Sequence, residues 1–434
     1  MNLVYLGPLS SFMARNLILG FRGLGYRVTA LNTGGDTPRK QKIRDEFPDV
    51  PIFDLSAAGP PRLGFRDRIK HATLRALAAT GLSRNVALAR TLDRTARRLP
   101  FFQKKPYELN DRAKSLIRGV LASARAEVVY SFWGHLNLPE ARFIQQELGT
   151  PVVQEITVYP FAFSEPRHAD PDDRRVIESF SELDGRIHAS QRARDYLFRH
   201  FHTVRGRDLI WWHHFSEDYF FRRRLPLLSA RDRRPHVIFL GRTDFGNSPF
   251  DDVRPQLRAI TRSGIHVHIG ETRCRPPGTP FLHMFPPVAP EGGELATFMT
   301  AFDACIVLYN VDREYDRFRG GMPARFQFAL AAGIPVVLPA SRFAACEEVV
   351  TSLGVGFAYN DVAELKQKLS DQALMGELRG RAEVIAPNLT FEANSRDLDL
   401  FIRQVGLCRS RSTGPPPEDP PGRAGLACGR GPVL

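Results

Sequence analysis

The feature that most constrains this chain is a pattern of short apolar runs that alternate with segments of helical periodicity. The run Asn2–Gly7 (NLVYLG) is followed by apolar residues at helical spacing up to Gly23 and Gly25, and then by the run RVTALN. AEVVYSFWG, PVVQEITVY and GRIHAS continue the series of apolar runs. Parallel strands need a crossover connection, which is usually a helix, so this order predicts β-α-β units. The pattern favours an α/β fold with a parallel, doubly wound sheet.

The same alternation occurs again after a basic, proline-containing segment, Phe221–Pro235. Its predicted strands are HVIFLGR, IHVHIG, ACIVLYN, the VVL of GIPVVLP, and VGFAYN. A chain of 434 residues also exceeds the size at which a single core usually keeps growing. We therefore predict two α/β domains, over residues 1–220 and 221–405. Residues 406–434 are rich in Pro, Gly and Arg and are predicted to be a disordered tail.

The positive charge is concentrated in one segment, the basic arm of residues 62–105. Twelve Arg or Lys residues face two acids there, which accounts for +10 of the net charge of +13. Such a distribution argues against a nucleic-acid-binding protein, whose charge would accompany a stacking or base-reading motif. Leu82–Leu99 places apolar residues on one half of a helical wheel and arginines on the other, and LPFFQKK follows. This predicts either a helix on an anionic membrane surface, through residues 82–105, or an ordinary helix with a solvated basic face.

Cysteine and histidine spacings give no sign of a metal or disulfide framework. The five cysteines, Cys274, Cys305, Cys346, Cys408 and Cys428, are scattered and form no C-x-x-C pair. His213 and His214 are adjacent, and adjacent side chains usually point apart. His266 and His268 alternate on a predicted strand, where sheet packing or a base pocket is favoured over a metal site. We expect neither a metal nor a cofactor. No apolar run in the sequence is long enough to form a membrane-spanning helix.

Read in order, HVIFLGR, IHVHIG, FDACIVLYN and MPARFQFALAAGIPVVLP resemble the GT-B glycosyltransferases, most closely the retaining family 4 group. The resemblance covers roughly residues 1–404. It implies two Rossmann-like domains that face each other across a cleft, with the acceptor on the first and a nucleotide-sugar donor mostly on the second. It also implies that the leaving diphosphate can itself take the acceptor proton, so that no dedicated nucleophile is required.

The segment Arg325–Ala340 (RFQFALAAGIPVVLPA) locates the donor in this interpretation. Gly333 ends a helix and Pro335 prevents its continuation, so the start of that helix near Pro323 presents free N–H groups and a positive dipole end. An anion is expected there, and the resemblance implies that it is the donor diphosphate. The donor-binding residues that it implies are Gly7, Gly241, Arg242, Gly270, Gly321 and Arg325.

Three positions depart from the family pattern. Phe328 stands where the family usually has the Glu that binds the donor ribose, Gly320 stands where its partner acid is expected, and Asn247 replaces a Lys. Two interpretations stay open. Either a divergent transferase uses other acids, such as those of the loop with Asp312, Glu314 and Asp316, or donor binding has been lost.

Two residues of the first half are catalytic candidates because they lie at the carboxyl ends of predicted parallel strands, where ligands collect. They are His135 in FWGHLN and Glu155 in QEITVY. For His135 a capping or structural role is the alternative, and for Glu155 a buried, hydrogen-bonded role. The loop YLGPLSSF, which contains Gly7, is expected to approach the donor diphosphate from the first domain, with an ordinary strand-to-helix turn as the alternative.

The sequence therefore predicts a glycosyltransferase, of hexosyltransferase type and retaining, that moves a sugar from a nucleotide-sugar donor to a glycan or lipid-linked acceptor. Surface polysaccharide or glycoconjugate biosynthesis is the expected pathway, and the expected location is the cytoplasm, with a peripheral position at the inner face of the cytoplasmic membrane if the basic arm binds lipid. One alternative is a sugar-nucleotide epimerase of the same architecture, although its set of cleft carboxylates is not recognisable. The other is a non-catalytic binding protein that kept the fold, which Phe328 and Gly320 favour.

Overall fold

A computed structural model describes residues 1–55, 109–132, 137–157, 180, 182–200, 206–241, 249–271, 280–311 and 316–410. For residues 200, 316 and 408–410 only the backbone is described. Several predictions lie outside these residues: the basic arm 62–105 with its helix 82–99, most of the predicted tail (411–434), and the individual residues His135, Arg242, Asn247, Asp312 and Glu314.

The first sheet has seven strands, all parallel, in the order β3-β2-β1-β4-β5-β6-β7. They are β1 (Asn2–Gly7), β2 (Arg27–Asn32), β3 (Ile52–Asp54), β4 (Val128–Ser131), β5 (Val152–Ile156), β6 (Gly185–His188) and β7 (Arg207–Ile210). The central strands are buried along almost their whole length. Helices cover both faces of such a sheet, which is why these strands appear in the sequence as continuous apolar runs.

The second sheet has six strands, again all parallel, in the order β10-β9-β8-β11-β12-β13. They are β8 (His236–Phe239), β9 (His266–Gly270), β10 (Leu282–Phe285), β11 (Ala304–Ile306), β12 (Val336–Pro339) and β13 (Gly356–Tyr359). The predicted α/β class with two doubly wound parallel sheets is confirmed.

The α-helices that connect the strands among the described residues are numbered here in chain order. Those of the first half are α1 (Phe12–Gly23), α2 (Pro38–Glu46), α3 (Asp111–Ala124), α4 (Leu138–Glu147) and α5 (Gln191–His200). Those of the second half are α6 (Ser229–Asp232), α7 (Arg254–Arg262), α8 (Glu294–Met299), α9 (Asp316–Arg319), α10 (Ala324–Ala331), α11 (Ala344–Leu353), α12 (Val362–Ser370), α13 (Gln372–Ile385) and α14 (Phe391–Ser410). Within the described part of the chain, no helix has both the length and the apolar character needed to span a bilayer.

Helix α14 returns to the first sheet after the second domain is complete. Phe391, Leu398, Ile402 and Val405 are buried in the same core as residues of β1 and α1. A Cβ added to Gly406 would lie 2.3 Å from the terminal methyl of Met1, so the helix packs closely against the residue that precedes the first strand. The two halves are therefore joined both by the segment between β7 and α6, called the linker here, and by the C-terminal helix. Helix α14 continues to Ser410, past the predicted domain end at 405.

Candidate functional site

The candidate site lies where each sheet reverses its strand order. The reversal falls between β1 and β4 in the first sheet and between β8 and β11 in the second. The connections leaving two such strands run to opposite faces of the sheet, so a crevice opens at the carboxyl ends of the strands. Residues that follow β8 and β11 are therefore the first candidates for ligand contact.

Arg325 lies directly at the crevice of the second sheet. Its Nη1 donates a hydrogen bond of 2.7 Å to the carbonyl oxygen of Leu308, just after β11. Its guanidinium carbon is 4.3 Å from the ring centroid of Tyr309 and 4.9 Å from that of Phe239, the last residue of β8. The electron-rich ring faces attract the cation and restrict its orientation. A fixed positive charge thus stands between the two strands that define the reversal point.

Helix α10 begins beside this charge. Its N-cap residue is Pro323, which has no side-chain acceptor, and none of the described residues caps its first turn through a side chain. The first amides of a helix have no partner within the helix, and they form the positive end of its dipole. At Gly321, just before this end, a Cβ would lie 2.9 Å from the carbonyl oxygen of Arg317, so the turn between α9 and α10 favours glycine. The start of α10 and Arg325 together form a place suited to an anionic group.

The other predicted glycines differ in how strictly glycine is needed. At Gly241, just after β8, a Cβ would lie 2.0 Å from the Phe239 ring, and at Gly7, the last residue of β1, it would lie 3.2 Å from the carbonyl oxygen of Phe132. Packing within the domain thus strongly disfavours a larger residue at Gly241 and leaves little room for one at Gly7. At Gly270 the nearest atoms are 3.9 Å from such a Cβ, so packing does not require glycine there.

Phe328 takes part in contact between the two halves. Its ring centroid lies 5.2 Å from that of Phe12, at the start of α1, and 4.6 Å from that of Phe215, in the segment after β7. Phe328 is 6% exposed. The position where the family pattern has a donor-binding Glu is therefore filled by an aromatic side chain that packs α10 against the first domain.

Gly320 also lies at a contact between the two halves, where it packs closely against the start of α5. A Cβ at this position would lie 3.0 Å from the backbone nitrogen and 3.1 Å from the Cα of Ala193, at the start of α5. The Gly320 carbonyl oxygen also accepts a 2.7 Å hydrogen bond from the hydroxyl of Ser190. A carboxylate side chain would not fit against α5. Both departures from the family pattern thus coincide with tight contacts between the halves.

A pocket of about 680 Å³ adjoins this contact. Its walls come from α5 and from the second domain, and they carry charges of both signs: Arg192, Arg319, Glu347 and Glu348, with Ser341 and Thr351. Arg192 forms an ion pair with Glu348, which bridges the two halves. The volume falls in the range of sites for small ligands, roughly 300–1,000 Å³. Sequence reasoning missed this pocket, because its charged residues lie on helices far apart in the chain.

Glu155 lies in the interior of the first domain and is 3% exposed. The hydroxyl of Tyr130 donates a 2.5 Å hydrogen bond to its Oε2, and Nδ1 of His213 is 3.4 Å from its Oε1. Burial, together with the Glu155 carboxylate, raises the pKa of Tyr130 well above its usual value. His213 Nε2 is in turn 3.0 Å from Nδ2 of Asn16. The carboxylate is therefore part of a buried network between β4, β5, α1 and the linker.

At the reversal point of the first sheet the structure places Asn137, which sequence reasoning had not singled out. Its Nδ2 donates to the carbonyl oxygens of Phe132, at 2.6 Å, and Leu6, at 3.4 Å. It thereby holds the ends of β1 and β4 together. Asn is a common residue directly before the first turn of a helix, and Asn137 precedes the helix that starts at Leu138. This position is the sequence feature by which Asn137 could have been identified. His135 belongs to the same connection but lies outside the described residues.

The structure thus groups some of the predicted residues and separates others. Gly241 and Arg325 meet at the Phe239 ring, and Gly321 precedes the helix that carries Arg325. The contact of Phe12 with Phe328 brings the start of α1, and so the loop after Gly7, up to α10. Glu155 belongs instead to the buried network with Tyr130 and His213.

Solved structures with the same architecture are numerous, although their sequences are distant. Sucrose-phosphate synthase from Thermosynechococcus elongatus is 13% identical, with a TM-score of 0.62 over 93% of this chain and 99% of that one. HepE from Anabaena in complex with UDP is 13% identical, with a TM-score of 0.59 over 93% and 100%. A UDP-forming α,α-trehalose-phosphate synthase from Burkholderia xenovorans is 14% identical, with a TM-score of 0.57 over 93% and 99%.

These similarities extend over almost the full length of each protein, so the two-domain GT-B fold expected from the sequence is confirmed. No family model matches the sequence, and no curated protein matches it either. At such low identity the likeness concerns the fold.

Proposed function

We propose that this protein transfers a sugar from a nucleotide-sugar donor to a glycan or lipid-linked acceptor. The observation that carries the proposal is the position of Arg325 beside the uncapped start of α10, at the strand-order reversal of the second sheet. Among the similar solved structures, HepE is in complex with UDP and the trehalose-phosphate synthase from Burkholderia xenovorans forms UDP. The proposed donor is accordingly a sugar attached to a nucleoside diphosphate.

In this proposal the chain acts mainly by binding and stabilising charge. The donor diphosphate accepts hydrogen bonds from the first amides of α10 and from the Arg325 guanidinium, and Arg242 is expected to contribute from the loop after β8. Negative charge grows on the diphosphate as the bond to the sugar breaks, and fixed cations and amide dipoles stabilise that charge. The diphosphate can then take the acceptor proton, as expected for a retaining hexosyltransferase.

Glu155 receives a structural role in this mechanism, because its carboxylate is buried and accepts a hydrogen bond from Tyr130. His135 remains the candidate for contact with the acceptor. We further propose that the acceptor belongs to surface polysaccharide or glycoconjugate synthesis. The basic arm would hold the enzyme at the inner face of the cytoplasmic membrane. The pathway is proposed from the family resemblance of the sequence, and the membrane contact from the charge pattern of the arm.

The decisive experiment measures nucleotide binding before activity. Isothermal titration with UDP, GDP and ADP, and then with the sugar nucleotides of the best binder, should give a dissociation constant for one of them. Arg325→Ala should weaken it, whereas Arg262→Ala, which removes an exposed arginine from the same domain, should not. If none of the nucleotides binds, or if both variants bind like the wild type, the site is placed wrongly.

A second candidate function is a binding protein without transfer activity. One observation favours it: Phe328 and Gly320, at the positions where the family pattern has acids, pack against the first domain. It predicts sugar-nucleotide binding with no release of free nucleotide in the presence of acceptor extracts. Transfer predicts that free nucleotide appears together with a glycosylated product. An epimerase would instead return a sugar nucleotide of altered stereochemistry, which chromatography separates from the donor.

A further inference from the structure

Four histidines form a continuous cluster at the start of the strands of the second sheet. His236 and His266 are the first residues of β8 and β9 and are paired in register, and His268 is paired with His283 of β10. Because His266 and His268 are two residues apart on one strand, they project from the same face. The rings of His236 and His266 stack with centroids 4.2 Å apart and planes 2° from parallel. The cluster lies at the edge opposite to the candidate cleft.

A carboxylate completes the cluster. Asp232, the last residue of α6, lies with Oδ2 2.9 Å from Nε2 of His266 and with Oδ1 3.2 Å from Nε2 of His236. The His266 Nε2 atom is buried and lies close to the Asp232 carboxylate, but the angles between the two groups do not allow a hydrogen bond. Three ligand atoms, one from each residue, lie within 4.8 Å of one another.

In both His236 and His266, the Nδ1 atom, which faces away from Asp232, lies within hydrogen-bonding distance of another histidine. Nδ1 of His236 is 3.0 Å from Nε2 of His268, and Nδ1 of His266 is 2.7 Å from Nε2 of His283. When both Nδ1 atoms carry the proton, the two Nε2 lone pairs face the Asp232 carboxylate. A metal-bound histidine is normally held in this way, with its other ring nitrogen donating to a partner that fixes the tautomer.

We propose that Asp232, His236 and His266 bind a divalent transition-metal ion of the zinc class. Two imidazole nitrogens and one carboxylate oxygen are the donors of many zinc sites, and they suit zinc, nickel or copper better than magnesium or calcium. Tetrahedral zinc spaces its ligand atoms by about 3.4 Å. Because the two rings are stacked parallel, they must also tilt toward each other for both Nε2 lone pairs to point at one ion. Asp232, with its side chain 37% exposed, leaves a fourth position for water.

Metal ligands must be neutral imidazoles, and the surroundings favour that form. Burial, with the neighbouring imidazoles, lowers the pKa of His268 to about 3, and burial also lowers the pKa of His266 and His283. The positive charge of Arg234 also contributes to the lowered pKa of His266, which favours the neutral form, but the same charge would repel a metal ion. The competing occupant is a proton on Nε2 of either histidine, donated to Asp232.

The position of the site indicates what bound metal would do. Asp232 belongs to the short helix between the linker and β8, whereas His266 begins the neighbouring strand β9. A metal ion would cross-link the start of the second domain to the interior of its sheet. The expected effect is on stability, and it is independent of the proposed transfer reaction, whose site lies at the other ends of the strands.

The experiment uses the full chain purified without a histidine tag and freed of metal with a chelator. Competition with a chromophoric chelator measures the affinity and stoichiometry for Zn²⁺, and Co²⁺ reports the coordination geometry through its visible absorption. The variants are Asp232→Asn and His266→Gln. The backbone amide of Arg234 donates a 3.0 Å hydrogen bond to Asp232 Oδ1. Asp232→Asn keeps an oxygen that can accept this hydrogen bond. Asp45→Asn, on exposed α2, is the matched control.

The proposal expects one equivalent of Zn²⁺, a tetrahedral Co²⁺ spectrum and a raised melting temperature with metal. Each ligand variant should weaken binding at least tenfold, the double variant should abolish it, and Asp45→Asn should match the wild type. His283→Gln, one step outside the ligands, should weaken binding less than His266→Gln. Absence of one-equivalent binding by the wild type overturns the proposal, and so does unchanged binding in the double variant. Because Asp232 is at the surface, Asp232→Asn should fold even if a histidine variant does not.

Discussion

Replacing Phe328 with Ala tests whether this position serves contact between the halves. The side chain is 6% exposed and lies against Phe12 and Phe215, so truncation removes a buried ring at a junction between the two domains. Phe→Ala changes in cores cost about 3–5 kcal/mol, and an aromatic pair contributes about 0.5–1.5 kcal/mol beyond its buried area. We expect the free energy of unfolding to fall by about 3–5 kcal/mol.

The assay is urea unfolding followed by tryptophan fluorescence and, separately, by circular dichroism. Trp211 and Trp212 lie in the linker between the domains, so their fluorescence reports on the same junction. Val384→Ala is the control, because Val384 is 74% exposed and its truncation should change stability by less than about 0.5 kcal/mol. The two-domain chain can unfold in steps, so coincidence of the two probes is checked first.

A double-mutant cycle then isolates the contact itself. Phe12→Ala and Phe328→Ala should be coupled by about 0.5–1.5 kcal/mol, because their rings touch across the domain boundary. Phe328→Glu, which installs the residue of the family pattern, should be at least as destabilising and should not improve nucleotide affinity. A cost below about 1 kcal/mol for Phe328→Ala, or tighter donor binding by Phe328→Glu, would refute the packing role.

The remaining predictions concern the donor site, the C-terminal helix, a buried ion pair and the basic arm. Arg325→Ala should weaken nucleotide-sugar binding by about 1.5–3 kcal/mol, or roughly 10- to 150-fold by calorimetry, because it removes a charge-assisted hydrogen bond to the diphosphate. A chain ending at Gln404 should lose about 1–2 kcal/mol in a thermal melt, since Val405 is 2% exposed in the first core; an unchanged melting temperature would contradict that contact. Although burial raises it, hydrogen bonds from Arg186 and His188 hold the pKa of Asp208 well below its usual value, so its contribution to stability is present above about pH 4 and is lost as the pH falls further. Asp208→Asn should destabilise by about 3–5 kcal/mol near pH 7, because Arg186 is fully buried, and should flatten the acid limb of a stability profile. Replacing the four arginines of residues 90–98 with Gln should release the protein from anionic vesicles, at about 1 kcal/mol per residue, while sedimentation with neutral vesicles serves as the control.

The sequence by itself determined the order of strands and helices and, through it, the fold class. Apolar runs such as NLVYLG and HVIFLGR are local signals, and the connections between parallel strands restrict how such runs can be arranged. The start of α10 was also predictable, because Pro323 and Gly333 act on the backbone within one or two turns. The position of Arg325 in the first turn of that helix followed from the same pattern.

Tertiary structure alone decided what distant residues do together. Phe328 and Gly320 departed from a family pattern in the sequence, but only the contacts with Phe12 and Ala193 explain them. The histidine cluster draws on three strands and on α6, and its ligands come together only once the sheet has formed in register. Glu155 was predicted at a strand end near the cleft, yet the helices packed over the sheet bury its side chain. Burial depends on what covers a strand, and the covering residues lie far away in the sequence.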